Sequence, residues 1–191
     1  MKELRVATIE ADKPEEGDEM TLTGYPIVFD QPTRITERDG STYTEIIERG
    51  ALDDADISDS TLIYNHDENR VPLARTPKTM SFDVDERGLH MRASLAGESP
   101  TAREVYTSVK RGDLSGMSFA FTVPEGGSSY DPETNTRRIS RISKVYEVSV
   151  VPFPAYPQTS VEARSAIRSA STEAARQQVI MKANLILLRS I

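Results

Sequence analysis

The 191-residue chain has no cysteine, no tryptophan and only two histidines. Without cysteine there is no disulfide framework, no zinc–thiolate centre and no thiol nucleophile. That suits a reducing compartment. Two histidines are too few for an imidazole-rich metal site, and no HExxH stretch is present. Aromatic residues make up 6% of the chain, and apolar residues 37% against 28% charged. The expected core is therefore lean, with polar extensions around it. Long apolar runs are absent as well. The N-terminal stretch MKELRVATIEADKPEEGDEM lacks a signal-peptide core, and no segment has bilayer length. The expectation is a soluble protein that is not exported by that route.

Charge is unevenly spread. From Ser165 onward, Arg168, Arg176, Lys182 and Arg189 face only Glu173, so this tail carries +3 of a total of −7 and leaves −10 on the body. An acidic body argues against nonspecific DNA binding, which needs a basic surface. A basic tail can be a docking arm or simply a solvated helix face.

Apolar alternation predicts strands over Leu4 to Glu10, Thr21 to Phe29, Thr42 to Ile47 and Thr61 to Tyr64. A short turn or helix is expected around Ala51 to Ala55. Met80 to Val84 and Leu89 to Leu95 flank Asp85-Glu86-Arg87-Gly88, a hairpin pattern in which Gly88 would supply a positive φ. Ser99 as N-cap, Pro100 at the first turn and Gly112 beyond the last predict one helix from Pro100 to about Lys110. Further strands are expected over Gly116 to Val123, Arg137 to Ile142 and Val145 to Val151, with a loop over Gly126 to Asn135. After Arg164 a Ser/Ala-rich linker leads to a helix-favouring tail. The implied division is a body over residues 1–164 and a linker with helical tail over 165–191.

Three residues are candidates for chemistry. His66 lies where a strand opens into a loop, between Asn65 and Asp67, a place where scaffolds present reactive groups. A surface or capped histidine is the plainer reading of that position. Ser118 alternates against Met117, Phe119 and Phe121, and shares its strand face with the small Ala120. This leaves space for a hydroxyl nucleophile, or marks a serine filling a tight strand contact. Glu147 interrupts the apolar run Val145 to Val151, where a carboxylate must be exposed or paired. His90 alternates onto the wet face of its strand and reads as structural.

The ordered blocks carry more than any single residue. They are Gly24-Tyr25-Pro26-Ile27-Val28-Phe29, Glu48-Arg49-Gly50-Ala51-Leu52, Leu62-Ile63-Tyr64-Asn65-His66-Asp67, Pro72-Leu73-Ala74-Arg75, Lys110-Arg111-Gly112-Asp113-Leu114-Ser115-Gly116-Met117-Ser118-Phe119-Ala120-Phe121, and Glu147-Val148-Ser149-Val150-Val151-Pro152-Phe153-Pro154-Ala155-Tyr156. Together they resemble the prohead proteases of tailed bacteriophages over roughly Thr21 to Arg164. The resemblance implies a β-rich α+β fold: a closed or partly closed antiparallel β-barrel with flanking helices, similar to the herpesvirus assembly protease. It implies a serine endopeptidase with Ser118 as nucleophile, His66 as general base and Glu147 as orienting acid, and no cofactor or metal. Ser115 is the rival nucleophile. It further implies a place inside the immature prohead in the host cytoplasm. The implied partners are the major capsid protein precursor and its scaffolding segment, with self-cleavage and self-association, and neither nucleic acid nor membrane. Two other functions fit the residues: a noncatalytic scaffold or capsid-interaction module, and a metal-dependent hydrolase using His66, Asp67 and nearby acids.

Overall fold

A computed structural model describes residues 3–7, 20–36 and 40–152. The proposed linker and helical tail, residues 165–191, lie outside the described residues, as do residues 8–10 of the first predicted strand. In chain order the elements are β1 (Glu3–Ala7), β2 (Met20–Val28), β3 (Thr33–Thr36), β4 (Thr42–Ile47), β5 (Thr61–Tyr64), β6 (Ala74–Arg75), β7 (Met80–Val84), β8 (Gly88–Leu95), α1 (Pro100–Arg111), β9 (Gly116–Thr122), β10 (Ser128–Asp131), β11 (Thr136–Ile139) and β12 (Lys144–Val151).

These strands form three sheets, ordered β1-β9-β12-β5-β6, β10-β11-β4-β3 and β2-β8-β7. Among the described residues the strands do not close into a barrel, and one helix rather than several accompanies them. The expected all-antiparallel arrangement is also revised. β12 runs parallel to β5, and β11 runs parallel to β4. Parallel neighbours need crossover connections. Here 79 residues, 65–143, separate β5 from β12 in sequence, so strands from distant blocks become neighbours.

The helix follows its caps. Ser99 Oγ accepts from the Ala102 N–H at 3.3 Å, Pro100 sits in the first turn, and Gly112 takes φ 85°. The Gly112 N–H satisfies carbonyls of the last turn, beside Lys110 and Arg111, which suit the negative end of the helix dipole. Its stripe of Ala102, Val105 and Val109 is buried in the main core. Phe119 and Phe121 of β9, with Leu22 and Ile27 of β2 and Leu89 and Met91 of β8, belong to the same core. Gly88 takes the expected positive φ, 156°, where the hairpin loop enters β8. A Cβ there would lie 2.0 Å from the Ile27 carbonyl oxygen, so its missing side chain permits close strand approach. The turn is held by Asp85, whose carboxylate accepts from the N–H groups of Arg87 and Gly88 at 2.7 and 3.0 Å.

Two sheets that share the apolar core are also tied together by charge. Glu3 and Arg5 of β1 meet Glu45 of β4 and Arg137 of β11, all four buried. Arg5 bonds both carboxylates, with Nη2 at 2.8 Å from Glu3 Oε2 and 2.6 Å from Glu45 Oε2, and Nε on Glu45 Oε1. Arg137 reaches Glu3 at 2.5 and 2.8 Å and Glu45 at 3.0 Å. Two guanidinium groups against two carboxylates leave no net buried charge. Burial pushes the Glu3 carboxyl up, but Arg137 and Arg5 outweigh it and hold the group below its ordinary 4.5. A depressed carboxyl stabilises the fold above its unfolded value, and that contribution disappears as pH falls through the folded value. Melting curves should therefore show a midpoint that is level near neutrality and declines below pH 4.5. Glu3→Gln should shallow that acid decline.

Candidate active site

The central sheet is built so that residues from β5, β9 and β12 share one face. Residues directly opposite in a ladder point the same way. Ser118 of β9 faces Ser149 of β12, and Ala120 faces Glu147. The pairing shifts register between Val145 and Glu147, which leaves Tyr146 as an extra residue. Regular pairing onward from Val145↔Phe121 would have set Glu147 opposite Phe119, on the core face. The bulge moves Glu147 and Ser149 to the Ser118 side, the kind of re-aiming for which bulges are used beside functional sites. Val148 and Val150 then face the core with Phe119 and Met117.

His66 arrives from the neighbouring parallel strand. β5 ends at Tyr64, and the chain turns through Asn65 (φ 52°) and His66 (φ 58°). The Asp67 N–H closes on the Tyr64 carbonyl at 3.1 Å. Positive φ at both central residues is the mark of a type I′ turn, which usually takes Asn or Gly there. Asn65 fits. A histidine in the left-handed region costs on the order of 1 kcal/mol or more, so the position is held by its surroundings. The Asn65 N–H donates to the Val150 carbonyl at 3.0 Å and the His66 N–H to Ser149 Oγ at 3.2 Å.

This turn aims the imidazole along β12. Nδ1 lies 2.5 Å from Glu147 Oε1, with the His66 side chain 12% exposed and that of Glu147 3%. A carboxylate accepts only, so Nδ1 carries the proton. In the neutral imidazole that leaves Nε2 as the lone-pair nitrogen. Nε2 is buried and, among the described residues, without a hydrogen-bond partner. A buried, unsatisfied nitrogen costs stability.

Ser118 is fully buried, at 0% exposure. The open space expected above it is filled. Its hydroxyl donates to the Arg5 carbonyl of β1 at 2.5 Å rather than to His66. β1 pairs antiparallel along the outer edge of β9, with Val6 opposite Ser118. Ser149 lies opposite Ser118 in the ladder and has its hydroxyl 3.3 Å from His66 Nδ1. Ser149 also donates to Glu147 Oε2 at 3.3 Å. Neither Ser149 nor the Arg5 carbonyl is evident from sequence. A serine in a valine-rich strand carries no signal of its own, and the alternation hides the bulge.

The remaining candidates separate from this group. Ser115 is exposed in the connection before β9. His90 stands on β8 in another sheet, against the Tyr25 ring at 4.9 Å. The Asp67 carboxylate is engaged within its own loop, by the Asn69 N–H and by Arg70 Nε, both at 3.1 Å. Among the described residues no three acidic or histidine side chains gather closely enough to hold a metal ion.

An imidazole gripped by a carboxylate, on a sheet face that also bears a small hydroxyl, is the class of site in which serine hydrolases work. Comparison with known proteins agrees. The chain belongs to the caudovirus prohead serine protease family, whose model matches residues 7–176. No curated protein and no solved structure matches the chain significantly. Membership makes the chain a serine protease of phage capsid maturation, acting in the prohead within the host cell. Among the described residues no helix is long and apolar enough to cross a membrane.

Proposed function

We propose that Ser118, His66 and Glu147 are the triad of an endopeptidase that removes the scaffolding segment of the major capsid protein, and cuts itself, during prohead maturation. One observation carries this reading. Glu147 holds His66 by Nδ1 and leaves Nε2 buried and, among the described residues, unbonded, on the sheet face that Ser118 shares.

In the proposed reaction Ser118 Oγ attacks a peptide carbonyl while Nε2 takes its proton. The imidazolium is stabilised by Glu147. As the C–N bond breaks, Nε2 returns the proton to the leaving amine. Water then attacks the acyl ester, losing its proton to Nε2, and the acid product leaves as Ser118 regains its hydrogen. Attack requires the Ser118 hydroxyl to leave the Arg5 carbonyl and turn to Nε2. A substrate carbonyl must then reach Oγ, so β1 has to yield that edge of β9 during turnover. Residues 1–164 would form the protease and 165–191 an assembly-targeting or self-cleaved tail, for which the +3 charge is the supporting feature.

The full burial of Ser118 favours a second reading, a noncatalytic module of the phage head. A fluorophosphonate probe separates the two. Peptide mapping after labelling should place the adduct on Ser118, and His66→Gln should abolish it. An unlabelled wild-type protein would support the noncatalytic module.

A further inference from the structure

We infer that Ser149 is a positioning residue that keeps the His66–Glu147 pair in line with Ser118. This rests on the triad reading above and adds a fourth side chain to it. A serine hydroxyl has one donor and two lone pairs. Here the His66 backbone N–H donates to Oγ at 3.2 Å, and Oγ donates to Glu147 Oε2 at 3.3 Å. The second lone pair is left toward His66 Nδ1, also at 3.3 Å. Every hydrogen-bonding capacity of the side chain is therefore directed at the base or its acid.

Each contact removes one freedom. A carboxylate can rotate about its terminal bond, exchanging or tilting its oxygens. Pinning Oε2 leaves Oε1 directed at Nδ1. That keeps the proton on Nδ1 and the lone pair on Nε2. The bond to the His66 N–H steadies a turn with positive φ at two successive non-glycine residues. Ser149 is itself 0% exposed, so bulk water is not at hand to replace its hydroxyl. Its backbone lies opposite Ser118, so one strand position references both base and nucleophile. The bulge at Tyr146 brings Ser149 to this face together with Glu147.

The test compares the wild-type chain with Ser149→Ala and Ser149→Thr, the latter keeping a hydroxyl. Capsid-precursor cleavage supplies kcat and KM, and 15N NMR of His66 supplies the tautomer. A small misplacement of a catalytic group costs about 10²-fold. Ser149→Ala should accordingly lower kcat roughly 10- to 100-fold with KM little changed. The two ring nitrogens, well separated in the wild type, should move toward averaged shifts in Ser149→Ala. Ser149→Thr should restore both the rate and the separation. Should Ser149→Ala fail to fold, Ser149→Cys, with its weaker donor in the same place, is read by the same two measurements. Unchanged kcat and unchanged nitrogen shifts in a folded Ser149→Ala protein, with the fluorophosphonate still on Ser118, would overturn the positioning role alone. An adduct on Ser149 in the wild type would overturn both this role and the assignment of Ser118.

Discussion

Ser118→Ala should lower the rate of capsid-precursor cleavage by roughly 10⁶-fold while the protein stays folded. The hydroxyl oxygen is the atom that forms the acyl bond in the proposed reaction. Its structural part is small by comparison. Oγ makes one bond, to the Arg5 carbonyl, so its loss costs about 1–3 kcal/mol even with the carbonyl left unmet. Single-turnover cleavage and a melting curve on the same sample separate the two effects. His66→Gln should fall as far, since an alcohol without a base is a poor nucleophile. Glu147→Gln should fall less, by about 10⁴-fold, because the amide still meets the ring but does not balance its positive charge. Combining Ser118→Ala with His66→Gln should add almost nothing, because the two act as one unit.

The largest effect on stability is expected at Glu45. Glu45→Ala leaves Arg5 and Arg137 buried with only Glu3 between them. Removing one partner of a buried pair typically costs 3–5 kcal/mol, roughly, because the remaining charge cannot be rehydrated. In a domain of this size that lowers Tm by about 10 °C or more. Arg5→Met with Glu45→Leu should be less damaging than Glu45→Ala alone, since it removes opposite charges together and fills the space with apolar atoms. A double-mutant cycle by denaturant unfolding checks the sign of that coupling. The cluster also bears on the site. It seats β1, and β1 supplies the carbonyl that engages Ser118.

Much of this arrangement is legible from local chemistry, and the exceptions have definite causes. β4, β5 and β7 lie at their predicted bounds, and α1 starts and stops at its caps, because alternation and capping are local signals. β3, β6 and β10 were not expected. β6 is two residues long, and Ser128–Asp131 is too polar to show an apolar period. Sheet closure and strand direction are not local properties. The parallel β5–β12 pair joins segments remote in sequence, and no pattern within either announces it. The site divides the same way. Glu147 stands out as a carboxylate in an apolar run; of the two expected outcomes, exposed or paired, the structure shows it buried and paired with His66. The buried Glu3–Arg5–Glu45–Arg137 group was not foreseen, because each member sits in an ordinary alternating strand and only the fold brings them together.

Capsid maturation itself supplies the most direct test. The wild-type chain or its Ser118→Ala variant is co-expressed with the major capsid protein precursor, and the assembled shells are analysed by intact-mass spectrometry. Shells made with the wild-type chain should contain capsid protein shortened by its scaffolding segment, and shells made with the variant should contain only the full-length precursor. Equal processing in both would contradict Ser118 as the nucleophile.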